Sequence, residues 1–124
     1  MHRSERSCQI WSVLALAARN RQSLTYGMLS RLIGVPAAGL GKLLEPIQSY
    51  CILNELPPLT LLVVQQKTGL PGSGFVGAKA VDYARDQMRI FEYDWLKHGN
   101  PQPEKFEQAV VELPSNGESF EGDE

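Results

Sequence analysis

The sequence predicts an α+β, mainly helical domain: three helices, a β-hairpin, a C-terminal helix and an acidic tail. Three observations predict it. Apolar residues recur at helical spacing over three successive segments of the first half, a β-branched run with Gly-rich turn chemistry follows, and the last residues are acidic with no periodic apolar face. With 124 residues, 43% apolar and 21% charged, the chain has side chains for one core. A single domain over residues 1–112 and an acidic, flexible tail over 113–124 are expected.

The first helix is read from Ile10, Val13, Leu14 and Ala17, behind Ser4 or Ser7 as candidate caps. Arg19-Asn20-Arg21-Gln22-Ser23 breaks that pattern. Thr25 then precedes Tyr26, Met28, Leu29, Leu32 and Ile33, a short second helix that Gly34 closes. Leu40, Leu43, Leu44, Ile47 and Cys51 mark a third helix, which Pro46 should kink or split because it has no N–H to donate. Leu56-Pro57-Pro58 stops the helical run, and Leu59-Thr60-Leu61-Leu62-Val63-Val64 reads as a buried strand. Lys67–Gly74 supplies turn chemistry, and Phe75-Val76 reads as the returning strand of a hairpin. Val81, Ala84, Met88 and Phe91 fall on one face of a further helix, Gly99-Asn100-Pro101 breaks the chain, and a short last helix is expected around 104–111. Three helices followed by a hairpin is the order of a winged helix. The second and third helices form its helix-turn-helix and the hairpin its wing.

The net charge of −2 hides a polarity. Residues 1–80 carry eight Lys/Arg against three acids, a net +5, and residues 81–124 carry four against eleven, a net −7. A basic front with an acidic tail suits a nucleic-acid surface with an electrostatic competitor attached, or a tail that only aids solubility. No window approaches the roughly 20 apolar residues of a membrane span, and the polar N-terminus lacks a signal core, so a soluble, cytoplasmic protein is expected. Cys8 and Cys51 are too few for a disulfide scaffold, and His2 and His98 with no Cys-x-x-Cys pair give no metal-ligand spacing. Both thiols read as packing residues. Gly72-Ser73-Gly74-Phe75-Val76-Gly77 is formally Gly-x-Gly-x-x-Gly, but Gln65–Pro71 separate it from the strand and no further βαβ units follow. No cofactor is expected. Trp11, Phe91, Tyr93 and Trp95 flank apolar stripes and read as packing aromatics.

Thr25-Tyr26-Gly27-Met28-Leu29-Ser30-Arg31-Leu32-Ile33-Gly34-Val35-Pro36-Ala37-Ala38, followed by Gly41-Lys42-Leu43-Leu44, Leu56-Pro57-Pro58, Val63-Val64 and a Gly-rich turn, resembles the winged-helix domain of alkylguanine-DNA alkyltransferases and their non-catalytic alkyltransferase-like relatives. The resemblance covers about residues 8–96, with Thr25 through Leu44 its most specific part. It implies that Tyr26 occupies the place of the tyrosine that helps rotate a nucleotide out of the duplex. The arginine that fills the vacated base stack is missing, since the nearest positions hold Gly39 and Leu40. The Pro-Cys-His-Arg segment that carries the alkyl acceptor reads Pro58-Leu59-Thr60-Leu61-Leu62. Without a thiol and its neighbouring base, alkyl transfer is not expected, and no other nucleophile–base constellation is visible.

Two functions follow. The first is a non-catalytic winged helix binding duplex DNA, with Gly39 and Lys42 approaching a groove, Tyr26 and Arg31 on the backbone, and Lys67, Gly72, Ser73 and Gly74 along a neighbouring groove. Arg19 and Arg21 are further phosphate candidates. The second is a protein-interaction module on the same scaffold, a small adaptor or inhibitor of the kind used in bacterial or phage conflict systems. Its apolar Leu56, Pro57, Pro58 and Leu59 would plug a partner's groove.

Overall fold

The computed structural model describes residues 2–71 and 78–114. Helix α1 spans Arg3–Arg19, strand β1 Leu24–Thr25, α2 Tyr26–Ile33, α3 Leu40–Leu53, β2 Val63–Val64, α4 Ala78–Glu92, α5 Trp95–His98 and α6 Pro103–Glu112, with 3-10 turns at Ala37–Gly39 and Leu59–Leu62. The fold is therefore mainly helical. Among the described residues no helix is long and apolar enough to cross a membrane, and no group of three His, Cys, Asp or Glu is placed to hold a metal ion.

The core forms where apolar stripes meet. Ile10, Trp11, Leu14 and Ala18 of α1 pack with Leu40, Leu44, Ile47 and Cys51 of α3, Leu29 of α2, Ile90 of α4 and Phe106 of α6, all at most 1% exposed. Helices α1, α3 and α6 pack against one another. Trp11 is ringed by Tyr50, Trp95, His98 and Phe106, with centroids 5.4–5.9 Å away and edge-on to Tyr50 and Trp95. Its buried indole N–H has no hydrogen-bond acceptor among the described residues.

Pro46 does not divide α3, which runs unbroken through it. Proline at that position leaves the Lys42 carbonyl without its usual i+4 donor. Beside the gap, the fully buried Ser7 Oγ of α1 donates to the Leu43 carbonyl at 2.8 Å. The outside donor reaches the neighbouring carbonyl, and the helix continues through the proline.

The strand expected over Leu59–Val64 is mostly a 3-10 turn. The Leu61 N–H donates to the Pro58 carbonyl at 3.0 Å, and only Val63–Val64 is extended. That pair is parallel to β1, with Leu24 opposite Val63 and Thr25 opposite Val64. The returning strand expected at Phe75-Val76 lies outside the described residues. The apolar face expected for α4 is also corrected: Ala84 and Met88 are exposed, and Ile90 is the residue turned fully inward, with Tyr83, Gln87 and Phe91 half-buried beside it. The α4 face toward α1 and the 3-10 turn is partly polar, and Gln87 donates to Ser23 Oγ at 3.3 Å.

Two helix ends carry a left-handed residue that is not glycine. After α1, the Arg21 N–H bonds the Ala18 carbonyl and the Gln22 N–H the Ala17 carbonyl, with Arg21 at φ +55°. After α3, Glu55 and Leu56 repeat that pattern on Ile52 and Cys51, with Glu55 at φ +54°. Both are Schellman closures with a side chain where glycine is the unstrained choice.

Candidate nucleic-acid interface

Helix α2 begins and ends as its residues dictate. Thr25 Oγ1 accepts from the Met28 N–H at 3.0 Å, and Gly34 at φ +72° turns the chain out while the Gly34 and Val35 N–H groups share the Ser30 carbonyl. Arg6 of α1 donates to the Ile33 carbonyl at 2.7 Å, placing a cation at the negative end of the helix. The chain then passes through Pro36 and the 3-10 turn into α3, so the last turn of α2 and the first of α3 flank one short connection. Arg31 stands on the former and Lys42 on the latter, both exposed.

Lys67 stands on the segment that follows the parallel bridge. Because Thr25 lies opposite Val64, α2 and the segment after β2 leave the bridge at the same end. That segment is a closed turn: the Gln65 N–H donates to Leu70 O and the Gly69 N–H to Gln65 O, each at 2.8 Å, with Gly69 at φ +70°. Leu70 N–H donates to Thr68 Oγ1 at 3.1 Å, and Lys67 is exposed at the tip.

Five other cations of the domain are engaged internally, while Arg19, Lys97 and Lys105 are exposed and, like the three above, make no ion pair among the described residues. Arg3 pairs with Glu45 at 3.3 Å, Arg85 with Asp82 at 3.1 Å and Arg89 with Asp86 at 3.4 Å, Arg6 holds α2, and the Arg21 guanidinium lies 5.9 Å from the Phe91 ring centroid. Arg31, Lys42 and Lys67 make no ion pair among the described residues.

Several expected site residues fall elsewhere. Tyr26 is 1% exposed, and burial pushes its hydroxyl pKa up to about 12. It packs into the core at the start of α2 and has no surface from which to meet a sugar-phosphate. Gly39 is half-buried at the N-cap of α3, where a Cβ would meet Val35 Cγ1 at an ordinary 3.5 Å, so packing does not demand glycine there. Gly72, Ser73 and Gly74 lie outside the described residues. The apolar plug is corrected too. Pro57 is buried and Leu59 fully so, with Leu56 and Pro58 half-buried, because this segment closes the chain's own core.

A cluster near α5 escaped the sequence reading. His98 bridges two tyrosines, with Nε2 3.0 Å from the Tyr50 hydroxyl and Nδ1 3.1 Å from that of Tyr93. The imidazole has one N–H and one acceptor when neutral, so it accepts from one tyrosine and donates to the other. Tyr50 is 48 residues away in sequence, and no local signal couples them. Neither thiol is poised for chemistry. Burial pushes Cys51 up to about 12, and burial with the Glu104 and Glu5 carboxylates raises Cys8. Comparison with protein-family models, curated proteins and solved structures finds no match to this chain.

Proposed function

We propose that the protein is a non-catalytic nucleic-acid-binding domain that holds duplex DNA through the α2–α3 pair and the Gln65–Leu70 turn. One observation carries this reading: Arg31, Lys42 and Lys67 stand exposed and without ion pairs among the described residues, on elements that the Gly34 turn and the parallel bridge connect. Unpaired cations on rigid elements bind phosphates without first breaking a salt bridge. The non-catalytic character rests on the segment resembling the alkyl-acceptor site, where Leu59 is fully buried, and on two thiols kept protonated at neutral pH.

The test is a salt titration of binding to a duplex of about 20 base pairs. Three phosphate contacts give a log–log salt slope near −2.7, so affinity falls about 40-fold between 50 and 200 mM salt. Arg31→Glu or Lys42→Glu is expected to weaken binding at least about 10-fold at 50 mM salt and to flatten the slope by about 0.9. Binding indifferent to salt, or equal in both variants, would overturn the reading.

One observation favours the adaptor or inhibitor reading. Met28 and Leu32, one turn apart on α2, are 40% and 62% exposed. A salt-insensitive complex with a defined protein, lost on Leu32→Asp and accompanied by no duplex binding, would select it.

A further inference from the structure

We propose that the cleft between the last turn of α3 and α6 binds a short zwitterionic peptide of about three residues, its carboxylate at Lys105 and its ammonium group at Glu112. The proposal does not rest on the nucleic-acid reading. The cleft has a volume of about 320 Å³, the size of a small-ligand site. Lys105, Gln108, Ala109 and Glu112 fall at i, i+3, i+4 and i+7 of α6 and form one stripe, and Tyr50 and Asn54 of α3 line the same cleft. Ala109 is 3% exposed and carries only a methyl group, which leaves room above it.

Charge and length select the ligand. Lys105 is the third residue of α6 and Glu112 its last. A helix is positive at its N-terminus and negative at its C-terminus, so each side chain repeats the sign of the end it stands on and works against its own helix. A local rule broken at both ends of one cleft marks a site more than it serves stability. Dipole and side chains together make the cleft positive at one end and negative at the other, which favours a molecule oppositely charged at its two ends over a simple ion. Nor are these charges cancelled within the domain. Lys105 makes no ion pair among the described residues, and the Glu112 carboxylate accepts from the neutral Gln108 amide at 3.0 Å and pairs with no cation there. Seven residues of helix set the two positions about 10 Å apart along the axis, and an extended chain of three residues spans about 10 Å. Two amides line the cleft as well. Asn54 Nδ2 donates to the Tyr50 carbonyl at 2.9 Å and Gln108 Nε2 to Glu112. A side-chain amide can donate twice and accept twice, so both keep capacity for the N–H and C=O groups of a peptide.

The experiment titrates trialanine into the full chain and follows the backbone amides by NMR. Shifts are expected at Asn54, Lys105, Gln108 and Glu112, saturating with a Kd in the millimolar range. N-acetyl-trialanine N-methylamide, the same chain without end charges, is expected to bind at least about 10-fold more weakly, as is free alanine, whose two charges sit too close together to span the cleft. Lys105→Gln and Glu112→Gln are each expected to weaken trialanine at least about 10-fold. Each removes a charge that opposes the helix dipole, so thermal unfolding should show Tm unchanged or raised, which separates lost binding from a lost fold. The absence of a saturable shift with trialanine, equal binding of the capped peptide, or full affinity in either variant would overturn the proposal. Alanine binding as tightly as trialanine would overturn the peptide assignment.

Discussion

Tyr26 offers the sharpest check on the fold, because its burial removes it from the interface the sequence suggested. Its side chain is 1% exposed, and its hydroxyl is pushed from the usual 10 to about 12. A tyrosine is neutral when protonated, so the folded state holds this proton more tightly than the unfolded state does. The stabilisation is therefore complete below pH 10 and drains away as the pH climbs from 10 toward 12. Two units correspond to about 2.7 kcal/mol. The measurement is urea unfolding followed by circular dichroism between pH 8 and 12, for the native chain and Tyr26→Phe. The native chain is expected to lose up to about 2.7 kcal/mol more than the variant across that window. Cys51, shifted in the same direction, contributes to both proteins and cancels. Absorbance at 295 nm should show the Tyr26 ionisation coinciding with loss of helix. Ionisation near pH 10 in a protein that keeps its helix would refute the burial, and weakened duplex binding by Tyr26→Phe at neutral pH would return the residue to the interface.

Two further outcomes test the backbone. Ser7→Ala leaves the buried Leu43 carbonyl without its side-chain donor and should cost about 1–2 kcal/mol. With an unfolding entropy near 0.26 kcal/mol/K for 124 residues, thermal unfolding should show Tm falling about 4–8 °C. Ser12→Ala on the exposed side of α1 should stay within about 0.5 kcal/mol. Glu55→Gly relieves a left-handed residue at the end of α3 and should raise stability by about 0.5–1 kcal/mol, while Gly34→Ala should lower it by a similar amount through backbone conformation alone, since nothing lies within 4 Å of a Cβ there.

The helices were legible because their signals are local. Ile10, Leu14 and Ala17 set α1 by periodicity, Thr25 and Gly34 bounded α2 through capping chemistry, and α6 at Pro103–Glu112 lies close to the expected 104–111. The run Leu59–Val64 misled because a short stretch of buried apolar residues reads alike in a strand and in a 3-10 turn. What decides it is the pairing of Val63 with Leu24, 39 residues away, which no neighbouring residue announces. For the same reason Tyr26 read as a surface residue: the first turn of a helix can face either way, and only the packing of α2 settles which. The exposure of Arg31, Lys42 and Lys67 was readable, since lone cations seldom bury. That Lys42 makes no ion pair among the described residues was not, because Glu45, three residues on, is taken by Arg3 across 42 positions.

The two-residue bridge between Leu24–Thr25 and Val63–Val64 is the smallest sheet that can act as a ruler. It joins the base of α2 to the root of the hydrogen-bonded Gln65–Leu70 turn, two elements far apart in sequence. On the proposed reading, a polyanion would engage cations on both joined elements where a lone phosphate would engage one.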